Sequence, residues 1–311
     1  MGKRSRVNNR TDVPAGEVGP RQPCPCGSGR RYKACHGNPD GPPQVFHARP
    51  FEGLAGECDL IAMRELVPAA TAPVTVREHA DRPVQLCTLL PGAAPALVRD
   101  DGSVWLGLQV QHNFGDPSRD LAAVLEKALA TEESGAVGLT ESPGDGPRLQ
   151  DLLTDEPLQV TVHEGFDFWV ADVDDPTGTV AASLEQANAA ALPTARLTTV
   201  DAAYWTSVGS KEHLRWVMPH DEEKLLSALA RLHAAGKDRI AEGARLVGMF
   251  RTHGVLVPVW DLPVGTGPEA LEEPAEAFGK ELEAALADDS PLTGDERSAR
   301  SGLANRQLTI R

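Results

Sequence analysis

Near the N-terminus, Cys24, Cys26, Cys35 and His36 bring three thiols and an imidazole together within thirteen residues. Their spacing is C-x-C-x8-C-H, and three cysteines with one histidine are a common tetrahedral donor set for structural Zn2+. Thiolate-rich tetrahedral sites also accept Fe2+, which is the alternative metal here. So short a segment cannot bury an apolar core, so a bound ion must supply its folding energy. Four protein donors fill the ion's positions and leave none open for a substrate, which argues against hydrolysis at this metal. Gly27 and Gly29 permit unusual backbone angles beside the thiolates, and amide N–H groups there could hydrogen-bond sulfur. Three thiolates with one zinc ion total about −1. Arg30, Arg31 and Lys33 partly neutralise that charge and, with Arg21, can face a partner.

The chain around this cluster has 311 residues and is 41% apolar, enough for one large body or two modest domains. Lys and Arg number 30 against 45 Asp and Glu, a net charge of −15. That excludes a generally basic nucleic-acid coat, because most of the surface would repel phosphates. The charge is uneven. Residues 1–33 hold eight basic and two acidic side chains, a balance of +6, so the other 278 residues carry −21. No stretch approaches the roughly 18 apolar residues that span a bilayer. The basic start MGKRSRVNNR lacks the apolar segment of a secretory signal, and Arg6 stands where myristoylation needs Ser or Thr. An odd cysteine count with one tight cluster points to a reducing compartment. Together these features predict a cytoplasmic protein. Cys58 and Cys87, in apolar contexts, read as small core hydrophobes.

Composition divides the chain into a disordered basic arm at 1–20, the cysteine module at 21–37, a Pro-rich linker at 38–50, an α+β body at 51–290 and a polar tail at 291–311. Four tryptophans of the body sit in β-like runs, SVWLGLQV, FDFWVADV, HLRWVMP and VLVPVWDL. Each run is followed by a turn and a helical pattern. Leu121, Val124, Leu125, Ala128 and Leu129 recur at helical spacing, as do Leu225, Leu226, Leu229 and Leu232 behind His220-Asp221-Glu222-Glu223. Further helices are predicted from Thr179 to Ala191 and from Pro268 to Leu286. Two hairpins are legible, with turns at Asp101-Gly102 and His253-Gly254. Hairpin then helix thus occurs twice in similar register, which suggests an internal duplication within an α+β body.

CPCGSGRRYKACHG closely resembles the SEC-C motif, the metal-binding segment at the C-terminus of the SecA translocation ATPase. The resemblance implies zinc held by Cys24, Cys26, Cys35 and His36. In SecA the segment contacts the SecB chaperone and the ribosome, so docking to a protein or a ribosome is implied here, with a link to protein export. The match covers about 14 of 311 residues and lies at the opposite end of the chain from its place in SecA. No G-x-x-x-x-G-K-[ST] phosphate loop occurs, so the ATPase motor is absent. The remainder, through FEGLAGECDL, AAYW, LRWVMPH, VPVWDLP and LTGDERSARSGLANRQ, is similar to an actinobacterial family of uncharacterised proteins that join a SEC-C motif to a larger body. Seven lysines against 23 arginines fit a high-GC genome.

Other patterns are weaker. Gly265-Thr266-Gly267-Pro268-Glu269-Ala270 fits a dinucleotide fingerprint, but the strand before it ends too early, and a turn-rich loop explains it better. Asp172, Asp174 and Asp175 could gather a hard cation, although loop acids ahead of a helix explain them more simply. The acids after His220 suit a helix start better than a general base. His112, His163, His213 and His253 show neither metal nor triad spacing, and the tryptophans read as core. Nothing in the body compels an enzyme. The favoured function is a zinc-binding adaptor whose basic head docks to a protein or ribosomal partner; RNA enters only through that head, where Tyr32 alone could stack on a base. The alternative is an enzyme in the body, recruited by the zinc module.

Overall fold

The computed structural model describes residues 20–22, 31–34, 47–170 and 179–306. The chain divides into two compact units, Met1–Phe46 and His47–Arg311. The readings of 1–19 as a disordered arm and of 38–46 as linker lie outside the described residues.

In the first unit, Tyr32–Ala34 form a single 3-10 turn. The Tyr32 amide donates to the Gln22 carbonyl at 2.7 Å, and the Lys33 amide to the Pro20 carbonyl at 2.9 Å.

The second unit is mixed α+β with two sheets. Its first half runs α1 (Glu57–Glu65), β1 (Ala70–Val74), β2 (Val84–Cys87), β3 (Ala96–Val98), β4 (Val104–Gly107), α2 (Pro117–Leu129), β5 (Gly135–Val137), α3 (Leu149–Leu152) and β6 (Thr161–Val162). The second half runs α4 (Thr179–Ala190), β7 (Thr194–Arg196), β8 (Ala203–Ser207), β9 (Glu212–Trp216), α5 (Glu222–Ala234), β10 (Arg245–Thr252), β11 (Val255–Leu262), α6 (Glu272–Leu286) and α7 (Gly294–Ala304).

The first sheet has the order β5-β3-β4-β2-β1-β6 and the second β10-β11-β9-β8-β7. Four strands of each follow one scheme: a hairpin, then the strand before it in sequence, then the strand before that. The sense of the hairpin differs. β2 runs parallel to β4, whereas β9 runs antiparallel to β11. The connections explain this. Only a 3-10 turn, Pro91–Ala93, separates β2 from β3, so β3 starts at the end of the sheet where β2 stopped. Between β9 and β10, the 13-residue α5 carries the chain back along the sheet first.

Two apolar cores follow from strand alternation. Val255, Val257 and Val259 of β11 join a core with α1, α2 and the first sheet, while Leu256, Trp260 and Leu262 join α5 and α6. Successive side chains of a strand point to opposite faces, so a strand covered on both sides reads as a continuous apolar run, as VLVPVW does. On the second side Trp260 packs edge-on against Phe278 at 5.3 Å and 6.5 Å from Trp216. Its indole N–H donates to the Asp238 carbonyl at 2.8 Å, so a fully buried tryptophan leaves no donor unpaired. The predicted amphipathic helices form as α2 and α5. Asp116 caps α2 by accepting from the Arg119 amide, with Pro117 at the first helical position, and Asp221 caps α5 through the Lys224 amide at 3.1 Å.

Four features differ from the sequence reading. FDFW is not a strand: Asp167–Val170 form a 3-10 turn. The Trp169 indole donates to the Leu89 carbonyl at 3.0 Å and its ring lies 4.4 Å from that of Phe166, so adjacent aromatics pack over the first sheet rather than alternating through it. Residues 47–50, read with the linker, lie against the body: the His47 amide donates to the Gly115 carbonyl at 3.2 Å, and Arg49 pairs with Glu57 at 2.7 Å. The polar tail contains α7, opened by a capping box between Thr293 and Glu296 and anchored by fully buried Leu303 in the second core. Finally, Cys87 is buried as expected, but Cys58 is only partly so.

Candidate functional site

Cys24, Cys26, Cys35, His36 and Arg30 lie outside the described residues. Among the described residues, no group of three or more His, Cys, Asp or Glu side chains could hold a metal ion. The described parts of the head bear on the motif in one way. The bonds from Tyr32 to Gln22 and from Lys33 to Pro20 join the chain just ahead of Cys24 to the chain just ahead of Cys35. A donor set split by eight residues needs that closure. With three thiols and one imidazole as donors, the residues fit zinc. Arg21, Arg31 and Lys33 are exposed on these flanking segments.

In the body, a cleft of about 1000 Å³ opens between the first turn of α1, residues 157–160 and α6. Its inner charges are closely matched. Arg196 of β7 donates to both oxygens of Asp59 at 2.9 Å, and the buried Tyr204 hydroxyl of β8 donates to Oδ1 at 2.6 Å. Beside it, Arg49 grips both oxygens of Glu57 at 2.7 Å and reaches the Pro219 carbonyl at 2.8 Å. The hydrogen bond to Asp59 holds the Arg196 guanidinium more basic than usual. Burial, reinforced by the Asp59 carboxylate, raises Tyr204 well above the ordinary phenol range. Burial, with the neighbouring carboxylates Glu57 and Asp59, pushes the Cys58 thiol up to about 12. It therefore stays protonated at neutral pH and is no thiolate nucleophile. His220, on the same cleft, is shifted down by burial and lies 3.9 Å from Glu283.

Sequence reasoning did not find Asp59, Arg196 and Tyr204. The pairs Asp59–Arg196 and Asp59–Tyr204 are 137 and 145 positions apart, and no local spacing announces such contacts. The residues it did single out are held at separate places. Glu212 occupies the glycine loop: the Gly265 and Gly267 amides donate to its carboxylate at 2.6 and 3.0 Å, and the Trp205 indole at 2.8 Å. Burial opposes the charge there, but these donors outweigh it and leave Glu212 more acidic than usual. A loop whose amides already hold the chain's own carboxylate is not arranged to cradle a phosphate. After His220, Asp221 caps α5, Glu222 pairs with Arg251 and Glu223 with Arg300. His163 bonds Thr71 at 2.8 Å, His213 lies 3.0 Å from Asp261, His253 lies 2.8 Å from Glu65, and His112 stacks on Phe114. Trp216 and Trp260 are core, while Trp105 is half-buried beneath the Arg99 guanidinium, 4.4 Å away. Asp172, Asp174 and Asp175 lie outside the described residues. No described helix is long and apolar enough to cross a membrane.

Comparison with known proteins bears on both units. The SEC-C motif matches residues 21–38. Over 27 residues the chain is 56% identical to the protein translocase subunit SecA of Rubrobacter xylanophilus, a stretch that is 9% of this chain and 3% of SecA. No solved structure matches the chain. A family described as being of unknown function, DUF5926, matches residues 50–311. With that match covering the whole body, the chain belongs to the DUF5926 family and carries a SEC-C motif ahead of the family region.

Proposed function

We propose that this chain is a zinc-binding adaptor of the cytoplasm. Its head holds Zn2+ through Cys24, Cys26, Cys35 and His36 and docks the acidic body to a protein or ribosomal partner, in connection with protein export. The SEC-C motif carries this reading. Its ligand string is complete at residues 24–37, its match spans 21–38, and the stretch shared with SecA lies in a protein named as a translocase subunit. Charge supports it. Arg21, Arg30, Arg31 and Lys33 lie close to the ligands in sequence, while the body is acidic, so an anionic partner is reached through the head. The module boundaries proposed are 21–37 for the head and 38–46 for the tether, with the body beginning at His47 and including α7. The shared strand scheme of the two sheets supports a diverged duplication within the body, and the arginine-rich composition supports an actinobacterial source.

The test is ribosome co-sedimentation from native lysate at low and moderate salt, with metal content measured on the same samples. It compares the natural chain with a Cys35→Ala, His36→Ala variant. The expected result is one zinc per natural chain, with loss of both zinc and pelleting in the variant. Pelleting that survives loss of the metal would sink the head-driven reading and move attention to the body.

A further inference from the structure

We propose that the body cleft is a second docking surface, and that its occupant is a short peptide segment combining apolar side chains with Lys or Arg. The proposal concerns the body alone and goes beyond the role assigned to the head. The floor is apolar, formed by Leu54, Leu158, Trp216, Met218 and Leu282. The cationic side chains near it are not offered outward: Arg49 and Arg196 each make two bonds to a carboxylate of α1. Around the rim stand Asp201, Glu276 and Glu283. Asp201 is fully exposed, with Oδ1 3.6 Å from the Arg196 guanidinium, and Glu283 is 71% exposed, 3.9 Å from His220. The rim ammonium, Lys280, is tied to Glu276 at 2.7 Å, and burial disfavours a charge on His220. An apolar floor inside an acidic rim fits a cationic, apolar segment and repels an anionic one.

Gly279 is an independent sign that something enters. It lies inside α6 and lines the cleft. Glycine weakens a helix interior relative to alanine, so its presence there needs a cause. The backbone gives none, since Gly279 is not among the glycines of positive φ. Packing within the chain gives none either. A Cβ would meet Trp216 at 3.7 Å and Val200 at 4.0 Å, ordinary contact distances. Without a side chain at 279, the Cη2 edge of the largely buried Trp216 lines the cleft uncovered by α6, within reach of an incoming apolar group.

The test is selection of a random dodecapeptide display library on the full-length, zinc-loaded protein, followed by affinity measurement of the enriched peptides. Enrichment of sequences with at least two Lys or Arg beside Leu or aromatic residues is expected. Gly279→Leu should weaken their binding at least tenfold, and so should the paired charge reversal Asp201→Lys, Glu283→Lys. Gly279→Ala tests the glycine without bulk: it should raise Tm while weakening binding measurably. The Cys35→Ala, His36→Ala variant should bind the same peptides unchanged, which separates this surface from the head. Enrichment of acidic or uncharged sequences, no enrichment, or equal affinity for the Gly279→Leu protein would each overturn the proposal. So would spermine binding that depends on Gly279 in the absence of peptide binding, which would make the cleft a polyamine site.

Discussion

Asp59 is the acceptor on which two distant parts of the body converge. Arg196 supplies two parallel hydrogen bonds and Tyr204 a third. A carboxylate so buried is costly once it loses its cation, because the neutral Tyr204 hydroxyl that remains cannot balance the charge. Arg196→Met should therefore cost about 3–5 kcal/mol, the usual range for breaking a buried pair. Tyr204→Phe removes one of three bonds to a charged acceptor and should cost about 1.5–3 kcal/mol, less than loss of the arginine. Urea unfolding of both variants checks the order, and equal costs would show that the arginine pair is not the dominant tie. Glu65 makes a second prediction. Its hydrogen bond from His253 holds its carboxyl below the ordinary range against the opposing effect of burial. A folded pKa below the unfolded one means that protons bind the unfolded state more readily. The stabilisation is thus complete above the unfolded pKa, about 4.3 for Glu, and is lost as pH falls through the lower folded value. Glu65→Gln should flatten the acid limb of the stability curve below about pH 4.5; an unchanged limb would refute the pair's contribution. Residue types alone single out the candidate donors of the head, because few donor sets suit thiophilic ions. They could not expose Asp59, whose partners come from strands more than a hundred positions away.

Hairpin tips and helix caps are where single elements are decided. At the β10–β11 turn, His253 and Gly254 both take positive φ, 45° and 81°, as a two-residue turn matched to strand twist requires. Gly254 has a further reason to lack a side chain: a Cβ would lie 2.6 Å from the Ala48 carbonyl oxygen. Gly254→Ala should therefore cost more than the roughly 1 kcal/mol of an ordinary left-handed glycine replaced by alanine. Gly102, also at positive φ but with open space around it, is the control and should show only that ordinary cost. Thermal unfolding of the two variants makes the comparison, and equal losses would mean that residues 48–49 yield easily. This turn, α2 and α5 were legible from sequence because each pairs a periodic pattern with a chemical stop or start signal. The first helix of the body was not. Leu60, Ile61, Ala62 and Met63 are all buried, so α1 lacks the polar face whose rhythm reveals a helix. FDFW failed for the opposite reason, since its alternation mimics a strand while its aromatics pack on one another.

Across the whole molecule, the sign of charge changes between head and remainder, from +6 over residues 1–33 to −21 beyond. If, as proposed, Arg21, Arg30, Arg31 and Lys33 draw an anionic partner, the acidic body would repel it, over a range set by salt. The Debye length is about 8 Å at 0.15 M and about 30 Å at 0.01 M. Residues 38–46 can span at most about 30 Å, at roughly 3.5 Å per extended residue. At physiological salt such a reach exceeds the range of the repulsion several-fold; at 0.01 M the two are equal. Deleting residues 39–46 should therefore weaken head-dependent ribosome pelleting strongly at about 0.01 M salt and only slightly at about 0.15 M. Replacing the same residues with a Gly/Ser segment of equal length should leave both unchanged, since only reach matters. Equal losses at the two salts would assign the tether a steric role. No loss at either would mean that the body's charge does not oppose docking, and that the partner presents no extended anionic surface.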